Sequence, residues 1–535
     1  MRRFHLLLIT SLFVMTSFAQ GYSEQQLESL LDSVSTNPDY VIQWADRAIA
    51  QNVNCSDAYF VKAVVFTAEE DYFQTLEFLN KSLEVVSSKS IITKSEILCF
   101  RGMIYSIVED YDLALVDYNE AIRLNPKEVD AYEYRAALYE KMLQYDKAET
   151  DYRTLLKLKD SLAYKLELVS VLAYQNKTDE ALEILNKTIK YQPKQVLPYA
   201  SRAWVHALRE EGQAAIADYI RFMELDGDYS LDYLVALSTM DYVYTITLLS
   251  QQIINDSENL IWLAARIRVH IAEGEYDFAL SDLNTFESAQ GESTPFSLYQ
   301  KSKCYKGLYE FNDEVNALTL LIEELDESDV DVYVARGVAL RNVGRLEEAL
   351  QNFDTALQIS PISYYAYMER GWTYEMQNNF DQAIKDYNAA ITFNPNNAWI
   401  YVQRGKILQE KGDSIKAKAD FEMAMQLDTV SNSYAFALLG VGRLQEAIEF
   451  LQNTVMQDVT NAANQYDLAC LYALANKKQE ALISLNKAIE LGYKNYNHIK
   501  LDRDLTNIRE EEGYNDIIDS ITQMKISKMF DEFSR

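Results

Sequence analysis

Between Asp331 and Asp428 apolar side chains recur every three or four residues, in two runs per unit, and the whole pattern returns after 34 positions. The three copies read DVYVARGVALRNVGRLEEALQNFDTALQISP, AYMERGWTYEMQNNFDQAIKDYNAAITFNP and WIYVQRGKILQEKGDSIKAKADFEMAMQLD. That spacing is the period of an amphipathic helix, so each unit predicts two of them. Columns step in phase: Gly337, Gly371 and Gly405; Tyr333, Tyr367 and Tyr401; Ala349, Ala383 and Ala417. A fixed period of this length with many columns in register marks a repeat array. The small residues at 337 and 349 let the two helices of a unit approach closely. Between the helices one column holds Asn176, Gly274, Gly344, Asn378, Gly412, Gly442 and Asn476. These types adopt a left-handed helix C-cap with little strain. Pro126, Pro193, Pro361 and Pro395 close the second helix in another column, because proline clashes with continued helix.

Weaker copies extend the pattern over most of the chain, to about 14 helix pairs. The expected organisation is an N-terminal array over 20–227, a degenerate repeat or break over 228–258, a C-terminal array over 259–492, and capping helices over 493–535. The last of these is needed because a terminal unit must cover its exposed apolar side with a helix that is polar outside. Five extra residues around Ser87–Lys94 lengthen one early connection. The apolar stretch Leu231–Ile254 carries Asp232, Asp241 and several tyrosines, and so reads as a loose helix pair rather than a membrane span.

The unit resembles the tetratricopeptide repeat. The resemblance implies an all-α fold, a right-handed α-solenoid (superhelix) of tandem 34-residue helix-turn-helix repeats. It also implies that the first helices line a concave groove for peptides or protein segments. In the strong copies the groove columns hold Tyr365, Trp372, Trp399, Lys406 and Phe436, with Met368, Glu375, Val402, Gln409 and Tyr466 beside them. Large aromatics on a surface that need not bury them are typical anchors; the competing reading packs Trp372 or Trp399 against a neighbouring helix. A partner segment would bury the rings and set an acidic group near Lys406. The Lys/Asn clamp with which some eukaryotic family members hold a chaperone's terminal carboxylate is absent.

One column separates a structural role from a binding role. Arginine precedes the glycine column at Arg101, Arg135, Arg202, Arg266, Arg336, Arg370 and Arg404. Sixteen residues after each stands Asp117, Asp151, Asp218, Asp282, Asn352, Asp386 or Asp420, whereas units without the arginine carry Phe78, Ile184, Leu318, Phe450 or Ser484 there. The units of Arg202 and Arg266 have no such residues in the units on either side, so pairing must run from helix to helix within a unit. An anion-binding ladder would leave the arginines free; the co-occurrence argues for partly buried ion pairs that enforce register.

Composition narrows the function classes. The 535 residues are 48% hydrophobic, enough to exclude a disordered acidic chain, and the net charge of −31 disfavours nucleic acid and anionic lipid as partners. Arg2 and Arg3, the apolar run Leu6–Met15 and Ser17-Phe18-Ala19 predict a signal peptide over 1–19 with cleavage before Gln20. Export to the periplasm or outside the cell is therefore expected, with no stable membrane insertion after cleavage. Export would allow Cys55 and Cys99 to pair; Cys304 and Cys470 sit in a small-residue column and read as small hydrophobes. His206 and His270 fall in a column that elsewhere holds Tyr, Leu or Phe, and read as packed residues. There is no metal-ligand spacing, phosphate-cradling glycine loop or nucleophile elbow, so no cofactor, metal or catalytic residue is expected. The expected function is a non-catalytic scaffold of the bacterial cell envelope that binds a protein or peptide segment. A glycan- or peptidoglycan-binding module and a sensor component of an envelope signalling system are the alternatives.

Overall fold

A computed structural model describes residues 22–225, 230–324 and 329–519. The segment read as a signal peptide, with its cleavage point, and the end of the tail from 520 lie outside the described residues. The described residues form 29 α-helices up to Leu501, one 3-10 helix and a further helical stretch over 512–519, and among them there is no strand. Up to Glu490 the helices fall, in chain order, into 14 first-and-second pairs, so the fold is an all-α solenoid of tandem helix hairpins. The chain divides into two compact units, Met1–Asp241 and Tyr242–Arg535.

In the second unit the columns acquire their physical meaning. Gly337, Gly371 and Gly405 lie under the rings of Phe353, Tyr387 and Phe421 from the second helix of the same pair. A Cβ added at these glycines would stand 2.6, 2.9 and 2.8 Å from the ring. What comes close to the glycine is thus a ring, and the rings are fully buried. Phe421 is clasped a second time, because Gly440 of the following pair would place a Cβ 2.5 Å from it. Ala349, Ala383 and Ala417 are buried on the second helices.

The turn column behaves as its residue types require. Asn176, Gly274, Gly344, Asn378, Gly412, Gly442 and Asn476 all have φ between 56° and 93°. Glu70, Glu109, Leu143, Glu210 and Tyr309 take the same left-handed conformation after their first helices with no such chemistry. For an ordinary residue that conformation costs roughly 1–2 kcal/mol. Leu143 has φ 57° and a side chain that is 72% exposed, so little packing offsets the strain. Leu143→Gly is expected to raise the melting temperature and to stabilise by up to about 1 kcal/mol, after the greater unfolded-state entropy of glycine is subtracted. A lower melting temperature would mean that the leucine side chain packs better than its exposure implies.

In the first unit the insertion near Ser87–Lys94 is held by one side chain that sequence reading passed over. Asp57, fully buried, accepts hydrogen bonds from the backbone N–H of Ile91 (3.0 Å) and Ile92 (2.9 Å) and from the Tyr22 hydroxyl (3.0 Å). A carboxylate taken out of water needs its lone pairs filled, and here the longer connection fills them. All four cysteines are buried, and no disulfide joins Cys55 to Cys99. No helix among the described residues is long and apolar enough to cross a membrane.

Candidate functional site

The arginine column is consumed by structure. Arg101, Arg135, Arg202, Arg266, Arg370 and Arg404 each donate from Nε and Nη2 to both oxygens of the aspartate sixteen residues on, at 2.6–2.8 Å. The aspartates are buried. The third guanidinium arm, Nη1, reaches back to Asn80, Asn119, Asn186, Ser250, Asp354 or Asn388 on the preceding pair. Each of these six side chains therefore ties three helices together. Arg336 meets the neutral amide of Asn352 at 2.8 Å instead. Burial pulls its pKa down, although Tyr333, Glu323 and Glu348 oppose this. No anion-binding ladder remains among these residues.

The chemistry collects on the first helices of the second unit. Trp372 lies on helix Tyr364–Met376, Trp399 and Lys406 on helix Ala398–Glu410, Phe436 on helix Asn432–Gly440 and Tyr466 on helix Ala462–Leu474. After Gly492 (φ 105°) the chain turns back, and helix Tyr496–Leu501 and the 3-10 helix Arg503–Ile508 lie against that row. The physical driver is the apolar face of the last pair. Ile499, Leu505 and Ile508 are fully buried in one cluster with Leu471 and Leu485. The polar side chains of the returning segment then reach along the first helices. Asp504 accepts from Lys406 Nζ at 2.7 Å, Arg503 donates to Glu410 at 2.7 Å, and Asn497 donates to the carbonyl of Asn342 at 2.7 Å. Tyr493 stacks on Tyr466 at 4.3 Å between ring centroids, and His498 packs 5.8 Å from Trp372.

Between this segment and the first helices remains a half-open cavity of about 600 Å³. Trp372, Trp399, Lys406 and Phe436 all line it, as do Glu375, Val402 and Tyr466; Tyr365 does not, standing 40% exposed on the helix of Trp372. The two tryptophans are half-buried and meet edge to face at 5.6 Å. One face of Trp372 is covered by the Arg341 guanidinium, 3.9 Å from a ring centroid and itself in a buried ion pair with Glu369 at 2.6 Å. Lys406 meets an acidic group, as sequence reading asked of it, but the group is Asp504 of its own chain. Its ammonium also lies 4.6 Å from the Phe436 ring centroid.

The far wall consists of residues that the sequence did not point to as part of a site: Asp467, Cys470, His498, Asp502, Arg503 and Asp504. Burial raises Glu375 to about 7, against the opposing effects of Lys406 and the Tyr387 hydroxyl. Burial likewise raises Asp467 to about 6, against its hydrogen bond from Asn432. It pushes His498 below its ordinary value, toward the neutral imidazole, although the Asp502 carboxylate opposes this. Among the described residues no three His, Cys, Asp or Glu side chains converge to hold a metal ion. His206 and His270 are accounted for by Glu211 Oε2 (2.6 Å) and the Tyr242 hydroxyl (2.8 Å).

Comparison with known proteins follows the same columns. Family models described as tetratricopeptide repeat match residues 95–128, 117–150, 330–363 and 400–430, and one described as TPR repeat matches 376–412. No curated protein sequence matches the chain. Among solved structures, the crystal structure of yeast Tom70 is 14% identical, with 89% of this chain and 96% of that one covered at a TM-score of 0.33. The crystal structure of MamA is 21% identical, covering 30% and 93% at 0.28. That of YrrB, described as a TPR protein with an unusual peptide-binding site, is 24% identical, covering 35% and 97% at 0.23.

Proposed function

We propose that this tetratricopeptide-repeat protein is a non-catalytic scaffold of the bacterial cell envelope, which holds a segment of a partner protein against the first helices of its second unit. The observation that carries the reading is the cavity whose rings come from four consecutive pairs: Trp372, Trp399, Phe436 and Tyr466. Rings gathered at a half-open surface and surrounded by polar side chains have the make-up of a binding hot spot. Repeats that supply one anchor each are suited to an extended segment rather than to a small molecule in a closed chamber.

Capture from an envelope extract tests the reading. Mature chain beginning at Gln20 is expected to retain a protein in stoichiometric amount, and Trp399→Ala to weaken capture about 30-fold, the effect of losing an anchor worth roughly 2 kcal/mol. Helical content should be unchanged, and Met103→Ala in the first unit should leave capture intact. Retention of glycan alone would replace this reading with a glycan-binding one. A Trp399→Ala chain that folds and captures normally would move the site elsewhere. Mass spectrometry of the exported chain checks the address: an N-terminus at Met1 would overturn the envelope assignment.

A further inference from the structure

The charges around the cavity indicate what kind of group the partner must insert. Four carboxylates line it, Glu375, Asp467, Asp502 and Asp504, against two cations, Lys406 and Arg503. Both cations are committed, Lys406 to Asp504 and Arg503 to Glu410, each at 2.7 Å. The other three carboxylates are held by neutral donors. Glu375 accepts from the Tyr387 hydroxyl (2.9 Å), Asp467 from Asn432 Nδ2 (2.7 Å) and Asp502 from the Tyr466 hydroxyl (2.7 Å). The nitrogen nearest Asp502 in an ion-pair contact, His498 Nε2 at 3.8 Å, belongs to a ring that burial drives toward its neutral form. A second acidic group brought up to Lys406 would also face these three carboxylates, none of which is in an ion pair with a lysine or arginine, and like charges repel.

We infer that the cavity takes a cationic side chain, lysine or arginine, from the partner segment, with its aliphatic stem along the Trp399 and Phe436 rings and its charge among Glu375, Asp467 and Asp502. The inference rests on reading this face as the partner site, and it reverses the polarity expected from Lys406 alone. The rings suit the stem of such a side chain and add cation–π attraction to its head. The net charge of −31 draws basic segments toward the chain from a distance. An organic cation also fits better than a metal ion, since no three ligands converge here.

The cavity's own titration supplies a signature that ordinary surface acids lack. Glu375 faces Tyr387, Lys406, Arg503 and Asp504; Asp467 faces Asn432, Lys406, Asp502 and Asp504. With Glu375 at about 7 and Asp467 at about 6, both gain charge as pH rises from about 5.5 to 8, so affinity for a cation must rise over that window. Exposed carboxylates are already ionised at the lower end.

Tryptophan fluorescence of the full chain, titrated in about 0.15 M salt to screen the general acidic field, tests this with capped Gly-Lys-Gly, Gly-Arg-Gly and Gly-Glu-Gly peptides and with spermidine. The two basic peptides are expected to bind saturably and more tightly at pH 8 than at 5.5, and the acidic peptide not to bind. Glu375→Gln and Asp467→Asn should each weaken the basic peptides about tenfold and flatten the pH profile. Glu183→Gln, an exposed change in the first unit, should do neither. Should Glu375→Gln fail to fold, Asp467→Asn decides alone. Equal binding of the acidic peptide, or wild-type binding by both cavity variants, overturns the inference. So does spermidine binding that far exceeds both peptides, which would assign the site to a free polyamine. If envelope capture depends on Trp399 while basic peptides show no preference, the scaffold reading stands and this inference alone falls.

Discussion

Arg370→Leu is expected to destabilise the second unit by about 3–5 kcal/mol, the cost of leaving Asp386 buried without its partner. Asp386 is 2% exposed and accepts both of its ionic hydrogen bonds from Arg370. Arg370 also loses its contact with Asp354, but that carboxylate is half exposed and water replaces the arginine there. The double variant Arg370→Leu with Asp386→Leu should recover much of the loss, since two apolar side chains leave no charge stranded. Chemical denaturation of the four chains of the cycle checks it. A double variant no more stable than the single one would mean that the pair is a contact without thermodynamic consequence.

Phe421→Ala carries the other large effect. The ring is 1% exposed and pressed between Gly405 of its own pair and Gly440 of the next. Truncation opens a cavity that neither glycine can fill, at a cost of about 3–5 kcal/mol. In a repeat array such a loss stays near the altered interface. Hydrogen exchange should therefore accelerate in helices Ala398–Glu410 and Asn432–Gly440 while the first unit keeps its protection. Uniform acceleration throughout would show that the two units unfold as one.

These two sites were legible in the sequence to different depths. The Arg–Asp pairs could be read because both residue types appear and disappear together at a constant offset, and a rule of that kind survives without an alignment. The third guanidinium arm could not, because its acceptors are Asn, Asp or Ser and any of these also serves as an ordinary surface residue. The near wall of the cavity was legible for the same reason as the repeats: Trp372 and Lys406 share one column 34 residues apart, and Trp399 and Phe436 fall in other groove columns of the first helices. Its far wall was not. His498 to Asp504 lies beyond the last repeat, where no periodicity constrains it, and the contact between Lys406 and Asp504 spans 98 residues. Lys406 therefore looked like a cation awaiting a partner, and the acidic surroundings that change its meaning were invisible. Tyr365 shares its column with Trp399, one repeat later, yet only Trp399 lines the cavity, so the column alone does not decide which ring faces it.

The backward-reaching arm of each arginine bears on how such a chain can grow. Hydrophobic columns are interchangeable between copies, so a duplicated hairpin would pack in almost any slot. The polar column is not, since an arginine-bearing hairpin needs a neighbour upstream that offers an oxygen at the right height. Between Arg101 and Asn80 the separation is 21 residues instead of 16, which matches the five residues inserted before Arg101. The loop has lengthened while the two ends of the bond have kept their places. Gene duplications that copy a hairpin together with its upstream acceptor preserve the bond, and those that copy the hairpin alone break it. Shuffling of this chain is thereby biased toward blocks of two or more hairpins, a grammar of order laid over a vocabulary of otherwise equivalent words.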